Sequence, residues 1–133
     1  MLYQKSKQSS ECEIFGNIGH CEKFVHFLNQ NLGYSSTNDH SVGHIKRDYG
    51  DFCFKFYVST LLPHSTTNSQ QLARKARIGN CCVSIVFQAA EDHTVFSPEI
   101  ITSQFLHVYI VVQPVEKTGG FLKRLPPLEM FLS

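Results

Sequence analysis

An α/β layer fold is what this sequence predicts, and three patterns in it carry the prediction. Phe24, Phe27, Leu28 and Leu32 recur at intervals of three and four residues, which is the spacing of a helix with one apolar face. Phe52, Phe54, Phe56 and Val58 alternate with Cys53, Lys55, Tyr57 and Ser59, the two-residue period of a strand. Residues 82–87 and 105–113 are rich in β-branched and aromatic side chains, as expected of buried strands. From Phe52 onward the order reads strand, helix, strand, helix, strand.

Each element follows in turn from its residues. Leu2, Tyr3 and Gln4 can end a strand, and residues 5–19, polar and punctuated by glycine, read as a loop. The helix over residues 20–32 stops at Gly33, and the Ser-, Asn- and Asp-rich stretch to Gly50 reads as irregular. Pro63 ends the aromatic strand. Asn68 is placed to cap a helix over residues 70–77, with Leu72, Ala73 and Ala76 on one face and Arg74 and Arg77 on the other. Gly79 offers a stop, and Asn80 stands at the junction with the next strand. Ser97-Pro98-Glu99 has the form of a helix start, running to Gln104, and Pro114 closes the last strand. Phe52, Phe54, Phe56 and Val58 are expected to face one core with Val83, Ile85, Val108 and Ile110. From Lys117, with Gly119-Gly120 and Pro126-Pro127, the tail reads as a poorly packed end.

Bulk composition sets the class. A chain of 133 residues with 42% hydrophobic and 17% charged content reads by default as one globular domain. Its net charge of +1 gives no global attraction to nucleic acid, membrane or acidic substrate. Five cysteines, an odd count with Cys81 and Cys82 adjacent and no C-x-x-C, point to reduced thiols and a cytoplasmic location rather than a disulfide framework. The N-terminus turns polar after Tyr3, unlike a secretory signal, and the apolar run from Val108 to Val112 is too short to cross a bilayer.

Most chemistry is excluded on spacing. His40 and His44 have an H-x3-H spacing but no paired cysteines, so they read as loop histidines and no metal is expected. Cys81 and Cys82 open a strand and read as small hydrophobes, with no signature placing a base beside them. No phosphate-binding G-x-x-x-x-G-K-[ST] occurs. What remains is the basic segment "QQLARKARIGN". Arg74, Lys75 and Arg77 read either as a solvated face or as a patch toward an anionic partner, without the aromatic platforms that nucleic acid would want.

"FYVSTLLP" (Phe56 to Pro63), "QQLARKARIGN" (Gln70 to Asn80), "VSIVFQ" (Val83 to Gln88) and "FSPEIITSQFLHVYIVVQ" (Phe96 to Gln113) resemble the Rap/Ran-GAP catalytic domain in order and spacing, and "LYQKSKQSSECEIFGN" (Leu2 to Asn17) resembles its opening segment. The resemblance implies an α/β domain with a mixed central sheet flanked by helices, covering residues 1–115 and incomplete at the C-terminus, followed by a divergent tail over residues 116–133. It implies an activity: accelerating GTP hydrolysis by Rap-type small GTPases, with close relatives acting on Ral and Rheb. It also implies a catalytic group, an asparagine thumb, at Asn80, with Arg74, Lys75 and Arg77 as partner-binding residues that dock or support. The chain would hold no cofactor, since Mg²⁺ and GTP belong to the GTPase. Where the family reads Arg-Lys-Arg-His-Ile-Gly-Asn-Asp, this chain has Ala76, Arg77 and Cys81 at the third, fourth and eighth positions. Two other readings stand beside this one: a GAP-like interaction module without turnover, and a structural protein with a basic helix. The shorter chain also implies apolar surface left uncovered near the last strand.

Overall fold

The computed structural model describes residues 1–35, 43–89, 94–114, 117–118, 121–122 and 129–132. At its centre is a four-stranded sheet made from β1 (Leu2–Gln4), β4 (Val83–Gln88), β5 (Val108–Val112) and β8 (Glu129–Leu132), in the order β1-β4-β5-β8. The first three strands are parallel, with Leu2 beside Val86 and Val86 beside Val111, and β8 runs antiparallel to β5. Alternation along the strands sends Leu2, Val86 and Tyr109 to one face and Tyr3 and Phe87 to the other. Helices α1 (Glu11–Phe15) and α3 (Leu72–Gly79) cover the first face with Ile14, Phe15 and Ile78. Helix α2 (Glu22–Leu32) covers the second with Phe24, Leu28 and Leu32. Aromatic packing carries that second core: the ring centroids of Phe24 and Phe87 are 4.9 Å apart, and those of Tyr3 and Phe24 5.1 Å.

The mixed sheet and flanking helices are those the sequence implied, and α2 ends as expected at Gly33, whose φ of 65° places it in the left-handed region that glycine enters freely. Elsewhere the structure corrects the reading. Residues 5–19 include α1, a helix of one turn fixed by a capping box. The Ser10 hydroxyl accepts from the Glu13 N–H, and the Glu13 carboxylate accepts from the Ser10 N–H. The stretch read as irregular contains β2 (His44–Tyr49), which pairs antiparallel with β3 (Phe52–Tyr57) in a separate two-stranded hairpin. Because β3 pairs there and not with the central sheet, only the end of its apolar face reaches the core: Val58 is fully buried in the second core and Phe56 packs against it, while Phe52 and Phe54 do not enter. Phe52 is 70% exposed and Phe54 47%, while Phe56 is half-buried beside Ile45.

The inward pair of the central sheet is likewise not the one expected. Val86 and Tyr109 are fully buried, whereas Val83, at the start of β4, is 50% exposed. Ile85, Val108 and Ile110 are half-buried. Ser97-Pro98-Glu99 begins only a 3-10 turn over Pro98–Ile100 rather than a helix to Gln104. Beyond Pro114, β6 (Lys117–Thr118) and β7 (Phe121–Leu122) pair as a short ladder, and β8 lies along the edge of β5. Among the described residues, an open groove of about 860 Å³ beside Phe27, Phe87 and Val112 leaves apolar surface near β5. His40 lies outside the described residues. Among those described, no group of His, Cys, Asp or Glu is arranged to hold a metal, and no helix is long and apolar enough to cross a membrane.

Candidate functional site

Helix α3 is short, so its direction depends on what holds its ends. Asn68 does not cap it. The N-cap is Gln71, in the left-handed conformation (φ 51°), and Gln71 is buried with its side chain bonded to the loop before it. The Gln71 amide donates to the Ser65 and Asn68 carbonyls at 2.7 and 2.9 Å and accepts from the Ser65 N–H at 2.8 Å. Asn68 instead accepts from the Gln70 N–H, closing the turn ahead of the helix.

The buried face of α3 is not the one its apolar spacing suggests, although Arg77 is exposed as expected. Arg74 and Ile78, four residues apart and hence on one face, are the buried pair, and Leu72 is 55% exposed. Arg74 is 2% exposed, and its guanidinium donates to the carbonyls of Phe15 and Asn17, both at 2.7 Å, and of Leu62 at 3.0 Å. A rigid fork of five N–H donors suits such a cluster of acceptors. Burial pulls the Arg74 pKa down from its ordinary value. It is a cross-link of the fold, out of reach of any docking partner. Lys75 is half-buried in an ion pair with Glu11 at 2.7 Å. Arg77 alone of the three is exposed, with its guanidinium carbon 5.9 Å from the centre of the Tyr57 ring.

Asn80 follows as the C-cap (φ −86°, ψ −2°), its N–H directed at the Ile78 carbonyl. Its side chain is exposed and makes no hydrogen bond to the described residues. Cys81 turns inward beside it: its N–H donates to the Ile78 carbonyl at 3.1 Å and its thiol to the Arg77 carbonyl at 3.5 Å. The structure thus brings Asn80 and Arg77 together on one exposed helix end and keeps Arg74 and Lys75 for the scaffold. Tyr57 and Glu11, which hold Arg77 and Lys75, were not singled out from the sequence. Glu11 had one signal, its place inside the Ser10 to Glu13 capping box. Lys46 and Lys55 are cross-strand partners on the Tyr57 face of the hairpin, both exposed, with Asp48 on the same face.

Residues 13–123, which contain α3, Asn80 and the strands on either side, match the family described as Rap/ran-GAP. The chain belongs to the Rap/ran-GAP family. Relatives of this Rap/ran-GAP chain include signal-induced proliferation-associated 1-like protein 2 of Rattus norvegicus, 39% identical over 130 residues, covering 85% of the chain and 7% of that protein. GTPase-activating Rap/Ran-GAP domain-like protein 3 of Danio rerio is 35% identical over 128 residues, covering 85% and 13%. The chain therefore spans a small part of the length of the curated relatives it matches. The solved structure of the TSC2 GAP domain superimposes with a TM-score of 0.75 over 99% of this chain and 78% of that one, at 21% identity, and so shares the fold.

Proposed function

We propose that the chain stimulates GTP hydrolysis by a Rap-type small GTPase, with the Asn80 carboxamide as the group presented to the reaction. One observation carries this: an exposed amide with no hydrogen-bond partner among the described residues, on a helix whose other polar side chains are nearly all engaged by the fold. Phosphoryl transfer to water needs the water held in line and the charge on the phosphate oxygens stabilised. A carboxamide both accepts and donates, so it can hold a proton of the water through Oδ1 while Nδ2 meets an oxygen of the phosphate. An arginine has no acceptor and cannot hold the water this way. Arg77, oriented over Tyr57, serves docking to an acidic partner, with Lys46 and Lys55 on the Tyr57 face of the hairpin. The GTPase brings the nucleotide and its Mg²⁺.

A second reading, a GTPase-binding module without turnover, is favoured by Cys81. A cysteine has no carboxylate to steer the neighbouring amide, and this thiol is directed at the Arg77 carbonyl. Single-turnover hydrolysis by a GTP-loaded Rap-type GTPase, with and without the chain, separates the two. Acceleration is expected; binding without acceleration leaves the second reading, and neither binding nor acceleration refutes both.

A further inference from the structure

The last carbonyls of a helix have no intrahelical donors, and what satisfies them decides how the helix end is aimed. In α3 the Gly79 carbonyl accepts from the Ser103 hydroxyl at 2.7 Å. That hydroxyl also accepts from the Phe105 and Leu106 N–H groups, each at 3.2 Å, so its single donor and both lone pairs are in use. The loop that carries Ser103 is anchored on either side by Ile101 and Leu106, both buried in the first core. One Glu11 carboxylate oxygen accepts from the Thr102 N–H at 3.1 Å, and the other pairs with Lys75 at 2.7 Å. Loop 101–106 therefore grips α3 at two points one turn apart, through Lys75 by way of Glu11 and through Gly79 directly.

The second grip acts on Asn80 itself. Peptide groups are planar, so the Gly79 carbonyl carbon and oxygen share a plane with the Asn80 nitrogen and Cα. Holding the Gly79 oxygen sets the plane from which the Asn80 side chain departs. We propose that Ser103 is a positioning residue for the Asn80 carboxamide, with Glu11 bracing the same loop against the helix. This rests on the thumb reading above, since it asks what aims that amide.

The test compares the parent chain with Ser103→Ala, Ser103→Thr and Glu11→Gln, using a GTP-loaded Rap-type GTPase in single-turnover assays, alongside amide hydrogen exchange at Asn80 and Cys81. Misplacement of a reacting group by about 1 Å can cost about 10²-fold in rate. Ser103→Ala is therefore expected to lower the rate at saturating chain by roughly 10- to 100-fold with an unchanged Kd, and to quicken exchange at both amides. Ser103→Thr, which keeps the hydroxyl, restores both readouts, and Glu11→Gln gives a smaller fall in rate. A Ser103→Ala chain that keeps the parent rate and exchange, or that loses affinity instead of rate, overturns the proposal. If the parent itself gives no stimulation, the thumb reading fails on its own. Exchange at Asn80 and Cys81 then decides whether Ser103 orders the helix end. Should Ser103→Ala not fold, Ser103→Thr and Glu11→Gln still carry the comparison: a Thr variant slower than the Gln variant contradicts the bracket.

Discussion

Replacing Arg74 with alanine removes the cation on which the carbonyls of Phe15, Asn17 and Leu62 converge. A buried polar group left without its partner costs about 1–3 kcal/mol, more when the partner was charged. Four such acceptors, the Pro63 carbonyl included, lose their donor at once. Water entering the vacated space and the recovered desolvation of the buried guanidinium both offset this, so the low end applies and the sum is about 3–5 kcal/mol. That is a large part of the stability of an ordinary domain, about 5–15 kcal/mol. At about 3 °C per kcal/mol for a chain of this size, the midpoint of thermal unfolding should fall by roughly 10–15 °C. Arg74→Lys keeps the charge but not the fork, and should lose less. Circular dichroism melts of the three chains check this, with urea unfolding as the second measure. A midpoint within about 3 °C of the parent for Arg74→Ala, together with weakened association with the GTPase, would refute the assignment of Arg74 to the interior scaffold.

Other perturbations separate docking from scaffold. Arg77→Glu and Lys55→Glu should slow association with the GTPase by about threefold or more at low salt, with the difference shrinking as ionic strength rises; an on-rate indifferent to salt and charge would refute the docking role. His20, half-buried with its Nδ1 3.1 Å from the Thr60 hydroxyl, has its pKa lowered from 6.5 by burial. A base held neutral in the fold stabilises it fully above its unfolded pKa, and that contribution is lost as pH falls below 6.5 toward the folded value. His20→Gln should therefore show a shallower loss of stability than the parent over that window in urea titrations at several pH values. Identical slopes would contradict it.

How much of this was legible in the sequence depends on what fixed each element. Helix α2 was legible because its burial follows its own period, through Phe24, Leu28 and Leu32. Strand β3 was legible as a strand, and Phe56 and the following Val58 do reach the core, but alternation cannot say which sheet a strand joins, so the exposed Phe52 and Phe54 were assigned to the core as well. Strand β2 was hidden because Ile45 is its one buried residue. Helix α1 was hidden by its length, although its capping box was readable. At the site, the position of Asn80 came from family resemblance, and no periodicity would have marked it. The face of α3 was misread for a physical reason: a charged side chain is placed outward by default, and only the converging carbonyls of two distant loops make Arg74 an interior residue. Those loops meet through tertiary structure alone.

The central claim is that Asn80 acts on the transition state. Asn80→Ala removes one polar group presented to a phosphoryl-transfer site, a loss of about 2–4 kcal/mol by analogy with single oxyanion donors, or roughly 30- to 1,000-fold in rate. Single-turnover hydrolysis by a GTP-loaded Rap-type GTPase at saturating chain should show that fall for Asn80→Ala with the Kd unchanged, because the group acts on turnover and not on ground-state binding. Arg77→Ala should raise the Kd and leave the saturating rate near that of the parent. Full stimulation by Asn80→Ala, or a greater loss of saturating rate in Arg77→Ala, would contradict the account.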